Sequence, residues 1–241
     1  MPDRLFEVPR LAAVYDALDS DRSDLEEYAA LLERLSVSSM VDIGCGTGTF
    51  AILLASRGVQ VTAVDPAEAS LAVARAKPGG TNVNWLLGEA HSFTLGPVDA
   101  VTMTGNVAQV FLTDDAWDGL VGSAFKMLRP GGYLIFETRD PEAKAWQTWR
   151  RDATYRQAEI DGVGAVACWE ELTSAELPLV SFRTTFEFGQ DESVISESTL
   201  RFRGRDEVVA SLRDAGFDAP DIRGAADRPN LELVFVARRP T

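Results

Sequence analysis

The segment Val41-Asp42-Ile43-Gly44-Cys45-Gly46-Thr47-Gly48-Thr49-Phe50 constrains the fold more than any other part of the chain. A short apolar strand, Met40-Val41-Asp42-Ile43, runs into three closely spaced glycines and then into a stretch that reads as a helix. Glycines at a strand-to-helix turn let the backbone reverse sharply and let a ligand approach with no Cβ in the way. A phosphate-binding P-loop needs Gly-Lys-Ser/Thr, and this loop has no lysine. The dinucleotide fingerprint G-x-G-x-x-G needs glycine where the chain has Thr49. The spacing here is G-x-G-x-G, which on its own also fits a plain tight turn.

The residues around this loop repeat one grammar. Strands are expected at 40–43, 60–64, 82–87, 99–103 and 133–137, with helices at 49–57, 67–76 and from Thr113 to about 128 between them. Strands alternating with helices predict a parallel sheet covered on both faces, and right-handed crossovers make it doubly wound. Before the loop, Leu11, Val14, Tyr15 and Leu18 form one helical stripe, and Ser23 with Glu26 reads as a capping box for a second helix. Residues 1–36 are therefore expected to be a helical cap.

From about Arg151 the period changes to two. Phe182, Thr184, Phe186 and Phe188 alternate with polar neighbours, as do Val194, Ser196, Ser198, Leu200 and Phe202, with Gln190-Asp191-Glu192 between the runs. Two earlier strands, at 155–158 and 163–172, would turn at Asp161-Gly162. Residues 151–203 are thus expected to be an antiparallel β insertion with one wet face. A helix at 205–215 and strands at 218–223 and 231–237 return to the first grammar. The organisation expected is an α/β, Rossmann-like unit of residues 1–150 and 204–241, with the insertion after strand five. A length of 241 residues suits such a unit.

Charge narrows the partners. Asp plus Glu is 37 against 23 Lys plus Arg, a net −14. Such a surface repels phosphate backbones, so nucleic acids and anionic membranes are poor partners and a small molecule fits better. The two cysteines, Cys45 and Cys168, cannot build a disulfide framework, and the charged N-terminus lacks the apolar core of a signal peptide. An intracellular, cytoplasmic protein is expected, as monomer or homodimer.

Two acidic residues add to the loop. Asp65 ends the second strand, where a carboxylate can accept both hydroxyls of a ribose. It can equally cap the next helix, with Pro66 at the first helical position. Glu89, in Gly88-Glu89-Ala90-His91 after the third strand, can accept from an exocyclic amine, or be a solvated loop acid.

Taken together, Asp42-Ile43-Gly44-Cys45-Gly46-Thr47-Gly48, Asp65, Glu89-Ala90, Asp99-Ala100-Val101 and Leu128-Arg129-Pro130-Gly131-Gly132 resemble, in order and spacing, the class I S-adenosylmethionine-dependent methyltransferases. The resemblance covers about residues 10–140 and, more loosely, 205–238. It implies a seven-stranded, mostly parallel sheet whose last strand is antiparallel, with the cofactor across the C-terminal strand ends. It implies that Gly44, Cys45 and Gly46 pass under S-adenosylmethionine, that Asp42 lies near its ammonium, and that Asp65 and Pro66 border the ribose. Glu89 and Ala90 would meet the adenine, Thr104 and Asn106 the sulfonium side, and Tyr15 would close over the whole. Tyr15 also sits on an apolar stripe, where core packing is the competing role.

The chemistry implied is methyl transfer to a small-molecule acceptor, and no metal is expected. A base is needed only if the acceptor must lose a proton. Weak candidates for catalytic groups are Glu137, Arg139, Tyr155 and Glu170; His91 follows the adenine-side motif and is set aside. The competing functions are an NAD-dependent oxidoreductase, disfavoured by Thr49, and a non-catalytic cofactor binder on the same fold. Because Gly44, Asp65 and Glu89 all precede the insertion, its removal is expected to spare cofactor binding.

Overall fold

The computed structural model describes residues 2–189 and 192–241. Three helices come first: α1 (Arg4–Glu7), α2 (Pro9–Leu18) and α3 (Asp24–Arg34). Then β1 (Ser39–Ile43), α4 (Thr49–Ser56), β2 (Gln60–Asp65), α5 (Glu68–Ala76), β3 (Asn84–Leu87), β4 (Val98–Met103), α6 (Asp114–Met127) and β5 (Leu128–Arg139) follow the expected alternation. A short α7 (Arg151–Thr154) leads into β6 (Arg156–Ile160), β7 (Gly164–Glu176), β8 (Leu179–Phe188) and β9 (Glu192–Arg201). The chain ends with α8 (Arg205–Asp214), β10 (Asp221–Gly224) and β11 (Glu232–Arg238).

The main sheet has seven strands in the order β10-β11-β5-β4-β1-β2-β3. β1 pairs in parallel with β2 and β4, and β11 runs antiparallel to both β5 and β10. Alternate strand residues feed two cores. Val41, Ile43, Val101, Met103, Leu134 and Phe136 pack with Trp117, Leu120 and Val121 of α6 and with Val208 and Leu212 of α8. Met40, Val61, Ala63, Ala100 and Ile135 pack on the other face, with Leu25 and Leu32 of α3 and Phe50 and Leu54 of α4. Both faces are covered, as a parallel sheet requires. The reversal in strand order lies between β1 and β4, the crevice where open α/β sheets bind ligands.

β6 to β9 form a separate four-stranded antiparallel meander in sequential order. Its inner face is divided. Val166, Cys168, Phe186 and Phe188 pack against Leu11, Val14 and Leu18 of α2. Val180, Leu200 and Phe202 pack against Trp146 and Trp149. The middle of the expected β8–β9 turn, Gln190-Asp191, lies outside the described residues.

Two local expectations fail. Ser23 adopts helical φ/ψ and makes no side-chain cap bond. Instead its N–H donates to Asp21 Oδ1, and Glu26 pairs with Arg57 at 2.5 Å, so the capping box does not form. Pro66 is not the first residue of α5, which starts at Glu68; it stands exposed before the N-cap Ala67.

Candidate active site

Between β1 and α4 the backbone of Gly44 has φ +71°, and a Cβ there would come within 2.6 Å of the Val107 side chain. The Gly44 N–H donates to Val64 O at 2.8 Å, which pins the loop to β2. Gly46 also has positive φ (+52°), but a Cβ there would meet nothing within 4 Å. One glycine is required by packing, while the other faces open space. Cys45 between them is half-buried, and burial beside Asp42 and Asp65 pushes its thiol up, away from the reactive thiolate.

Asp65 bridges the loop and the following helix. Its Oδ2 accepts from Gly46 N and its Oδ1 from Ala67 N, both at 2.8 Å. Burial raises its pKa and these two bonds oppose the rise. Asp42, one strand away, is buried; its Oδ1 accepts from Thr102 Oγ1 at 2.7 Å, while its Oδ2 has no partner among the described residues. Burial pushes its pKa up to about 7, against the Thr102 bond. A buried, unpaired carboxylate oxygen is costly unless something cationic meets it.

The other expected cofactor contacts differ in exposure. The Glu89 side chain is open to solvent, with Oε2 3.3 Å from His91 Nδ1, whereas Ala90 is buried. Thr104 is half-buried. Asn106 is buried in a left-handed conformation, and its side chain turns inward: Nδ2 donates to Glu232 Oε1 at 2.9 Å. Tyr15 on α2 is half-buried, its ring 5.8 Å from that of Phe6, and burial pushes its hydroxyl up to about 12.

The four weak catalytic candidates separate. Glu137 is 3% exposed, closed off from any acceptor. Its Oε2 accepts from Tyr28 Oη at 2.6 Å and its Oε1 from Asn106 N at 2.7 Å. Burial pushes its pKa up to about 7 against both bonds. Arg139, Tyr155 and Glu170 instead come together around a cavity of about 340 Å³. The cavity lies between the end of β5 and the meander, and Trp149, Arg156, Arg228 and Glu232 complete its polar wall. Arg139 donates to Gln109 Oε1 at 3.0 Å and lies over the Trp149 ring. Arg156 pairs with Glu170 at 3.1 Å and Arg228 with Glu232 at 2.7 Å. Tyr155 stacks on Trp169 and is 47% exposed.

Tyr28, Glu232, Arg228 and Gln109 were not picked out from the sequence. Tyr28, Gln109 and the Arg228–Glu232 pair come from stretches far apart in the chain, and no spacing rule joins those stretches. A second cleft, of about 400 Å³, is lined by residues of α6 and α8 and the adjoining Ala215, and shares no residue with the glycine loop. Among the described residues no cluster of three His, Cys, Asp or Glu is arranged to hold a metal ion. Among the described residues no helix is long and apolar enough to cross a membrane.

The sequence model of a family described as a methyltransferase domain matches residues 40–132, the stretch from β1 to the turn within β5. Residues 40–132 are thus a methyltransferase domain, and the chain as a whole has the α/β methyltransferase fold. The malonyl-[acyl-carrier protein] O-methyltransferase of Serratia marcescens is 26% identical over 219 residues, covering 86% of this chain and 75% of that protein. The ubiquinone biosynthesis O-methyltransferase of Idiomarina loihiensis is 31% identical over 115 residues, and the match spans 44% of each chain. Among solved structures, S-adenosylmethionine-bound CalS10, an amino pentose methyltransferase from Micromonospora echinaspora, superposes with a TM-score of 0.72 at 23% identity over 97% of both chains. The fold of this methyltransferase therefore extends over the meander as well as the matched domain.

Proposed function

We propose that this methyltransferase moves a methyl group to a small, polar acceptor bound in the cavity between β5 and the meander. One observation carries the reading: the cavity borders the C-terminal end of β5 and is walled by Arg139, Tyr155 and Glu170 together. The glycine loop suits the cofactor. Gly46 opens onto free space, and Asp42 Oδ2 is a buried acceptor lacking a donor. In this reading Asp42 receives the cofactor ammonium, Gly44, Cys45 and Gly46 pass beneath it, and Asp65 with Pro66 borders the ribose. Glu89 and Ala90 flank the adenine, and Thr104 lies toward the reacting end. Asn106 supports that end from behind, because its side chain is committed to Glu232.

When bound, S-adenosylmethionine supplies a methyl group already activated by a positive sulfur and open to in-line displacement. The chain must then orient the acceptor and exclude water. Holding a nucleophile at near-attack distance lowers a barrier by up to roughly 7–11 kcal/mol in ideal cases. Arg139, Arg156 and Arg228 offer guanidinium donors to an acceptor, and Glu170 offers an acceptor or a proton sink at the cavity wall. Glu137 holds the Asn106 turn and Tyr28 in place, since it does not line the cavity. Residues 151–203 act as an inserted lid on a cofactor unit of residues 1–150 and 204–241.

The test is a screen of amines, phenols and carboxylic acids with S-adenosylmethionine, read as S-adenosylhomocysteine formed. A productive acceptor should lose turnover in Arg139→Ala and in Tyr155→Ala, with S-adenosylhomocysteine affinity retained. Full turnover in both variants would put the acceptor elsewhere.

A further inference from the structure

We propose that Asp16 is a positioning residue that locks helix α2 onto the glycine loop and so sets the rate at which the cofactor leaves. Asp16 Oδ1 accepts from Thr47 Oγ1 at 2.6 Å, and its Oδ2 lies 2.5 Å from Lys77 Nζ. Lys77 also donates to Thr49 Oγ1 at 2.9 Å. Three pieces of the fold meet in this knot: α2, the loop entering α4, and the residue that ends α5. Its two hydroxyls come from the loop, Thr47, and from the first residue of α4, Thr49, and Asp16 directly follows Tyr15, whose ring lies 5.8 Å from that of Phe6.

The hairpin of α1 and α2 has other ties at its far side. Ser70 Oγ donates to Phe6 O at 2.9 Å, and Leu5 N donates to Ser196 Oγ at 2.9 Å. The hairpin thus lies between the cofactor loop and the meander, and the Asp16 knot is its polar attachment to the loop. Both charged partners are partly exposed, with side chains 36% and 23% accessible for Asp16 and Lys77. An ion pair of that kind is weak and salt-sensitive, which suits a contact that must break on each turnover. The inference rests on the glycine loop being the cofactor cradle.

The experiment is stopped-flow dissociation of S-adenosylhomocysteine, followed by tryptophan fluorescence, in wild type, Asp16→Asn, Lys77→Met and the double variant. Each single variant should dissociate about five-fold faster, the scale of one exposed pair. The double variant should be no faster than either single, because both remove the same pair. Wild-type dissociation should quicken with added salt while that of the variants stays flat, a response that general loosening of the fold would not give. Asp16→Asn within two-fold of wild type, or multiplicative effects in the double variant, overturns the latch. Asp65→Ala is measured alongside. Loss of affinity there with none in Asp16→Asn overturns the latch alone, and unchanged affinity in both overturns the cradle. If Asp16→Asn fails to fold, Lys77→Met attacks the same pair and decides between the same outcomes.

Discussion

Asp65 ties two backbone N–H groups and stands where a ribose is expected, so its removal should act twice. Each lost hydrogen bond to a charged group costs about 1.5–3 kcal/mol. Asp65→Ala should lower Tm and weaken S-adenosylhomocysteine at least ten-fold by titration calorimetry; a lower Tm with unchanged affinity would leave Asp65 only a brace. Asp42 and Glu137 make a pH prediction. Burial raises both above their ordinary values of 3.8 and 4.5 to about 7. The folded state therefore favours their protonated forms. That contribution is full below the unfolded values and is lost as pH rises through about 7. Thermal melts from pH 5 to 8 should show a decline in wild type that is smaller in Glu137→Gln; equal slopes would mean Glu137 ionises normally. Asp65 was legible because strand-end position alone defines it. Glu137 was not, because its burial depends on Tyr28, contributed by a helix more than a hundred residues earlier.

The meander shows what period can and cannot tell. Alternation at Phe182 to Phe188 and at Val194 to Phe202 was enough to predict the hairpin, and the observed register sets Phe186 opposite Val194 and Thr184 opposite Ser196. Period does not say what the buried face meets. Half of it meets α2, so the insertion and the helical cap share one core. Removing the insertion would therefore strip the support from the hairpin that adjoins the glycine loop, so the expected sparing of cofactor binding requires that hairpin to hold without the meander. Phe186→Ala should cost about 3–5 kcal/mol in urea unfolding, the usual range for emptying a buried phenylalanine site. It should also speed hydrogen exchange in residues 9–18. Faster exchange confined to β8 would mean the two elements do not share a core.

Across the whole molecule, the strand–helix alternation alone was enough to expect a parallel sheet. The seven strands and the antiparallel last one, which runs back along β5, were implied by the family resemblance rather than by the alternation itself. What escaped was the meeting of distant polar groups, Asn106 with Glu232 and Asp16 with Lys77, which only the closed fold brings together. The −14 charge belongs to this scale too. Gel-shift assays at physiological salt should detect no complex with duplex DNA or tRNA, and a sub-micromolar, steeply salt-dependent one would expose a basic face. The central claim is that the glycine loop with Asp42 and Asp65 cradles the cofactor. A thermal melt with S-adenosylhomocysteine tests it most directly. At 100 times its dissociation constant a ligand adds about 2.7 kcal/mol to stability. Wild type should show the corresponding rise in Tm, Asp65→Ala a much smaller one at the same concentration, and NAD none; a rise with NAD and none with S-adenosylhomocysteine, or an equal rise in Asp65→Ala, would contradict the account.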